Sequence, residues 1–229
     1  SGTVAAARID NLDGSKITSG TVAAARIDNL SASIITSGVF DNSSIPKPAN
    51  HITLFSGLLT TGEDGDFGGR NGADTICTNI MDRELISMFN NSCTNVRALI
   101  SVNASDEIRD FPTIYSVPTN VKVRSQNGRL IAENWSGLLA SNSGGDPTLQ
   151  GTMSDLAGIH GMGSAEKVVW TGSNSDGSLN SNNCNGWTTN SGIHAGQVGH
   201  AIYSDNNVLS REFSVCNTTL KNPFYCICF

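Results

Sequence analysis

The sequence predicts a mixed α+β domain behind a short β-rich repeat. Three observations predict it. Residues Ser1–Leu12 read SGTVAAARIDNL and Ser19–Leu30 read the same string, while Ile17–Gly20 recurs as Ile35–Gly38 (ITSG in both). Beyond the repeat, one stretch has helical spacing and several short runs have strand character. Six cysteines, Cys77, Cys93, Cys184, Cys216, Cys226 and Cys228, all follow the repeat.

The repeat comes first. Each copy offers only Val4, Ile9, Leu12 and Ile17 as sizeable apolar groups, too few to bury a core alone. Such a unit gains stability by stacking on neighbours or by winding against identical copies from other chains. Residues 1–40 are therefore expected to be the end of a trimeric, intertwined fibre shaft. Residues 41–50, DNSSIPKPAN, hold Pro46 and Pro48 among small polar residues and read as a stiff linker. Residues 51–229 form the globular domain. Because the chain starts inside a repeat, it is expected to be part of something longer.

Within the domain, His51–Ser56 reads as a first strand and Gly62–Gly72 as a glycine-rich turn. Ala73–Phe89 is the helical stretch, with Ile76, Ile80, Leu85 and Met88 near one face and Asp74 near its amino-terminal dipole. Val96–Val102 reads as a strand and Glu107–Phe111 as a short helix. Val121–Val123 and Arg129–Ile131 flank Asn127-Gly128, a hairpin signal. Asn134–Leu139 is a helical turn, Val168–Thr171 a buried strand and Phe224–Phe229 a closing strand. The polar stretch between Trp170 and Val215 is expected to be a long recognition loop.

Charge and cysteine usage narrow the function. Fourteen Lys and Arg against twenty Asp and Glu give a net charge of −6, with no basic cluster to release counterions from phosphates. A nucleic-acid partner is not expected. No apolar run approaches the roughly 18 residues a membrane span needs, so no membrane insertion is expected. An even number of cysteines in a polar, loop-rich domain reads as a disulfide framework in an oxidising compartment. Six cysteines allow many pairings, and spacing alone chooses none. On a strand, Cys226 and Cys228 share a face, so each could meet a different partner.

The motifs, taken in order, resemble a known family. Gly69–Asp74 (GRNGAD) with Cys77, then Arg97–Ser101 (RALIS) and Asn134-Trp135, are similar to the trimeric collagen carboxy-terminal, endostatin-like domains. So are Val169–Ser173 (VWTGS), Asp176-Gly177, Cys184 with Trp187, and Cys216 with Tyr225-Cys226. Bacterial surface domains of the kind found in leptospiral proteins carry the same string, and both look like variants of the C-type lectin fold. The resemblance implies disulfides Cys77–Cys226 and Cys184–Cys216, and by elimination Cys93–Cys228. The repeat resembles phage tail-fibre shafts and, more closely, the mosaic adhesive trimers of predatory bacteria.

Candidate site residues follow. The calcium-bridged sugar motifs of C-type lectins are absent, which leaves two acidic loops. Glu63, Asp64 and Asp66 are a weak calcium candidate, and Asn174–Gly177 offers oxygens at similar spacing. For both, a solvated turn is the plainer reading, and calcium is the one cofactor suggested. Trp135 and Trp170 are expected in the core. Trp187, His200, Tyr203, Asp205 and Asn206 are the expected ligand set, pairing aromatic faces with planar polar groups. His160, His194 and His200 read as surface histidines. Asp106, Glu107 and Asp110 read as a solvated helix face. With no nucleophile elbow, His-Glu-x-x-His or phosphate loop, catalysis is not expected. The expected function is adhesion by a homotrimeric, extracellular or cell-surface fibre tip. Its partner would be an envelope glycan of another cell, or alternatively an envelope protein, with a ligand-free structural cap as a further possibility.

Overall fold

The computed structural model describes residues 50–56, 64–83, 93–140, 145–157, 168–218 and 222–229. The repeat, the linker up to Ala49, Glu63, Leu85, Met88 and His160 lie outside them.

Helices and strands are mixed, as an α+β domain requires. Strand β1 (Ile52–Phe55) is buried along its whole length, and its Ile and Thr favour extended backbone. It lies at the centre of a five-stranded sheet with β2 (Val96–Ala98), β8 (Cys226–Cys228), β3 (Val123–Ser125) and β4 (Leu130–Ala132), in the order β2-β8-β1-β3-β4. β1 and β3 run parallel, with Ile52 opposite Val123. β1 and β8 are antiparallel, with Leu54 opposite Ile227. The β3–β4 hairpin turns at Asn127-Gly128, where Gly128 has φ +77°.

A second, antiparallel sheet joins β5 (Val168–Trp170), β6 (Ala195–His200) and β7 (Glu212–Val215). Two of its strands lie inside the stretch expected to be loop. β6 reads AGQVGH, without apolar alternation, yet five of its six residues are buried. Its glycines explain this. A Cβ on Gly196 would come within 2.7 Å of the Trp170 ring and 2.9 Å of Cys184 Sγ, so only glycine lets the strand approach so closely.

Helix α1 spans Gly69–Arg83. It starts four residues before the expected position, inside the glycine-rich turn. Asp74 consequently sits past the first turn and does not serve the dipole. Its carboxylate accepts a hydrogen bond from Ala98 N (2.8 Å) and pairs with Arg97 (3.4 Å), holding the helix on β2. Ala73, Cys77 and Ile80 form the buried stripe of α1.

The acidic run before α2 (Phe111–Tyr115) also differs from expectation. Asp106 and Glu107 are buried, not on a solvated face. The Arg70 guanidinium donates to both Asp106 oxygens (2.8 and 3.0 Å) and to Ala98 O and Ile100 O. It also lies over the Phe111 ring, 5.0 Å from its centroid. Glu107 pairs with Arg109. Burial is tolerated because each carboxylate keeps a cation.

The three disulfides join Cys77 to Cys226, Cys93 to Cys228 and Cys184 to Cys216, the same pairs the resemblance implies, with Cα–Cα separations of 5.7, 5.0 and 5.7 Å. Cys226 and Cys228, on one face of β8, reach different partners. Such a framework fits an oxidising compartment. Among the described residues, no helix is long and apolar enough to cross a membrane.

Candidate functional site: a polar groove beside an asparagine-capped turn

The site is assembled from three short segments. The first is a 3-10 turn, Trp135–Leu138, capped by Asn134. Asn134 Oδ1 accepts from Gly137 N (3.0 Å) and Ser136 Oγ (2.8 Å), satisfying a backbone donor that the turn leaves open. Thr148 N then donates to Gly137 O, bringing the 145–150 segment alongside.

The second segment is the loop Ser173–Asn180. Asp176 Oδ1 accepts from Ser178 N (2.9 Å) and Ser178 Oγ (2.6 Å), and Asn174 Nδ2 donates to Ser178 Oγ and Leu179 O. The Asn174–Gly177 oxygens are thus spent on a self-bonded turn, the plainer of the two sequence readings. Gly177 has φ +84°, and its Cβ would stand 2.9 Å from Arg109 N. That close approach lets Arg109 N donate to Gly177 O (3.2 Å), while Ala140 N donates to Ser175 O (2.9 Å).

The third segment is the 3-10 turn Ile108–Asp110 just before α2, supplying Arg109 and Asp110. Together the segments enclose a groove of about 620 Å³. Its wall carries Asn134, Ser136, Asp146, Thr148 and Asp176, besides Arg109 and Asp110, with Trp135, Leu139 and Ala140 as the apolar part. Trp135 is only 3 % exposed, and its indole Nε1 has no acceptor among the described residues. Arg109 is drawn toward Glu107 and Asp176, the latter at 4.0 Å. Burial pulls the Asp176 carboxyl upward. The Ser178 hydroxyl and amide bonds, with Arg109, outweigh that and leave it below the usual carboxylate value. The groove thus offers an amide, hydroxyls and carboxylates at the protein surface, a set suited to polyhydroxylated ligands.

The expected ligand set is not brought together there. Trp187 is fully buried: it stacks on Phe67 at 5.0 Å, meets Trp170 edge-on at 5.5 Å and donates from Nε1 to Ser101 O. It is a core residue and offers a ligand no face. His200 is likewise fully buried, with Nε2 3.0 Å from Glu212 Oε1, so it is neither a contact residue nor a surface histidine. Tyr203 is half-buried, with the Arg211 guanidinium 4.8 Å from its ring centroid. Asp205 spends Oδ1 on Asn207 N and Nδ2, capping the turn Asn206–Val208. Asn206 Oδ1 is buried without a partner among the described residues. Tyr203, Asp205 and Asn206 all lie outside the groove lining.

Asp64 also has a local use. Its Oδ1 accepts from Asp66 N (3.1 Å), and Gly65 N donates to Cys216 O, pinning this loop against the Cys184–Cys216 disulfide. Among the described residues, no three His, Cys, Asp or Glu side chains come together to hold an ion.

Sequence reasoning missed Ser136, Asp146 and Thr148, and took Asn134 only as part of a framework motif. The Asn-x-x-Gly spacing at Asn134 and Gly137 was a readable cap signal. The isolated Asp146 and Thr148 carried none.

A family model described as "Protein of unknown function (DUF1554)" matches residues 60–204, well over half of the chain. The chain belongs to the DUF1554 family. No curated protein matches it. The DUF1554 match runs from before α1 through β6, and so contains every groove residue named above.

Proposed function

We propose that this DUF1554 chain is the tip of a homotrimeric extracellular fibre that binds an envelope glycan of another cell through the groove at Asn134. The carrying observation is the groove itself: one cap amide, two hydroxyls and three carboxylates around about 620 Å³, with Trp135 and Leu139 as apolar wall. Vicinal hydroxyls are bound by such planar acceptors and donors. The lectin-like reading draws support from the pairing of the first and last strands and from the bond of α1 to β8 through Cys77–Cys226. The closing of the long polar segment by Cys184–Cys216 supports it as well. The trimer is argued from the repeat, and it would multiply weak single sites by effective concentration. No catalysis is proposed.

The test is a glycan array probed with the intact chain, with and without calcium, followed by the same array with Asn134→Ala. Binding to one sugar class that the variant loses supports the reading. A blank array from a folded trimer sinks it.

One observation favours a protein ligand as the second reading. Phe213 and Val215, 64 and 47 % exposed, lie two residues apart on β7, at the edge of its sheet, and Ile193 is 90 % exposed. Under that reading, Phe213→Ser with Ile193→Ser abolishes cell binding while array binding is unchanged.

A further inference from the structure

The geometry points to a ligand with positive charge: we infer that the groove selects glycans carrying free amino groups over their N-acetylated or acidic counterparts. This rests on the groove being the glycan site and adds the ligand's chemical class.

Among the described residues, the groove lining holds one cation, Arg109, and three carboxylates, Asp110, Asp146 and Asp176. Arg109 is already matched by Glu107 on one side and Asp176 on the other. Among the described residues, Asp110 and Asp146 meet no cation. The lining is therefore left with two uncompensated negative charges facing a concave space, which concentrates their field on whatever enters. The Asp176 carboxyl is held below its usual value, because its Ser178 bonds and Arg109 outweigh burial.

A second observation concerns the rest of the wall, where Trp135, Leu139 and Ala140 give the groove an apolar side beside its carboxylates. An aminoglycan supplies both complements: the apolar face of a sugar ring packs on that side, and an ammonium donates to Asp110 or Asp146. An N-acetyl group supplies no charge, and a uronic acid brings repulsion.

The test uses the full chain in calorimetric titrations with two probes, a β-1,4-linked glucosamine tetramer and its fully N-acetylated counterpart. The glucosamine tetramer is expected to bind about tenfold tighter at low salt, near 1.4 kcal/mol, and to lose most of that advantage at 1 M salt. The double variant D110N/D146N should bring the two affinities together. A control pair of the same charge change outside the groove lining, D66N/D82N, should leave the preference intact, which separates the site from the overall charge of −6. Equal or tighter binding of the acetylated tetramer overturns the charge selection while leaving a glycan site in the groove. A preference abolished equally by the control pair also overturns it. If neither tetramer binds, this inference falls, and the array above decides the glycan reading separately.

Discussion

The domain has two cores of different construction. One gathers Phe55, Phe67, Ile80, Trp170 and Trp187 around Cys77, Cys184, Cys216, Cys226 and Cys228, with Cys93 packed against it. The other gathers Ile52, Leu99, Phe111, Ile131, Trp135 and Leu138 and contains no cysteine. The sulfur-bound half fastens what the chain would otherwise leave loose, a helix and a long polar segment rich in Gly, Ser and Asn. The sulfur-free half is fastened by packing, by the Arg70 tie and by single hydrogen bonds from loop to loop, and it is the half that carries the groove. Covalent bonds hold the polar segment so that it need not supply its own core. The ligand surface is left to noncovalent ties such as Ala140 N to Ser175 O.

If that division is right, changes in the sulfur half should cost global stability, and changes in the other half should cost more in binding. The largest expected effect is removal of Cys77–Cys226 by paired alanines. With Cys93–Cys228 intact this bond closes a ring of only about 20 residues, so its loss should lower unfolding free energy by about 3 kcal/mol in urea titrations. A loss below about 1 kcal/mol would erase the contrast.

Next comes the tie between the halves. Asp106→Ala removes the nearer of the two carboxylates that face the Arg70 guanidinium and leaves Asp74 at 3.5 Å, at a cost of about 2 kcal/mol in the same assay. Asp106→Asn should recover part of it. An Asp106→Ala chain as stable as wild type would mean that Arg70 is solvated in solution.

Asn134→Ala tests the groove half. Losing the cap should cost about 1 kcal/mol of stability, and glycan affinity should fall further than a shift in the folded fraction explains. A stability loss with unchanged affinity would make Asn134 a framework residue only.

A gain of similar or smaller size is expected from Tyr225→Phe. The Tyr225 hydroxyl is fully buried without a partner among the described residues, and burial pushes its pKa up. Removing it should stabilise the fold by about 1 kcal/mol or less, read as a slightly higher melting temperature. The smallest effect concerns pH. Asp176 sits below its usual carboxylate value in the fold, so its contribution is present above that value and is lost as pH falls through the lower, folded one. Asp176→Asn should flatten the acid limb of a pH–melting curve, and an unaltered limb would mean that its Ser178 bonds do not persist.

The sulfur half was the more legible in the sequence. Cys77, Cys184, Cys216 and Cys226 sit in motifs, with Gly69, Trp170 and Trp187, that resemble the endostatin-like domains, and it is this resemblance, not spacing, that implied their pairing. Trp170 and Trp135 went to the core as read. β6 escaped notice because a strand buried on both faces by glycine contacts has no alternation to read. Asp106 and Glu107 looked solvated because their cations, Arg70 and, for Glu107, Arg109, are assigned only by the folded chain. His200 and Trp187 looked like ligand groups because they lie in polar sequence, whereas the two small sheets wrap that sequence around them. The groove was the least legible part. It draws on segments near residues 109, 134, 146 and 176, and only tertiary hydrogen bonds such as Ala140 N to Ser175 O bring them together.

The most direct test follows the three tryptophan indole N–H signals by nuclear magnetic resonance while a glycan selected on the array is titrated into the intact chain. The account predicts that the Trp135 signal shifts as the ligand packs against its side of the groove. The Trp187 signal, held by Ser101 O, and that of the buried Trp170 should stay in place. Saturable binding that leaves Trp135 unmoved and shifts amides around Tyr203 to Phe213 would contradict it.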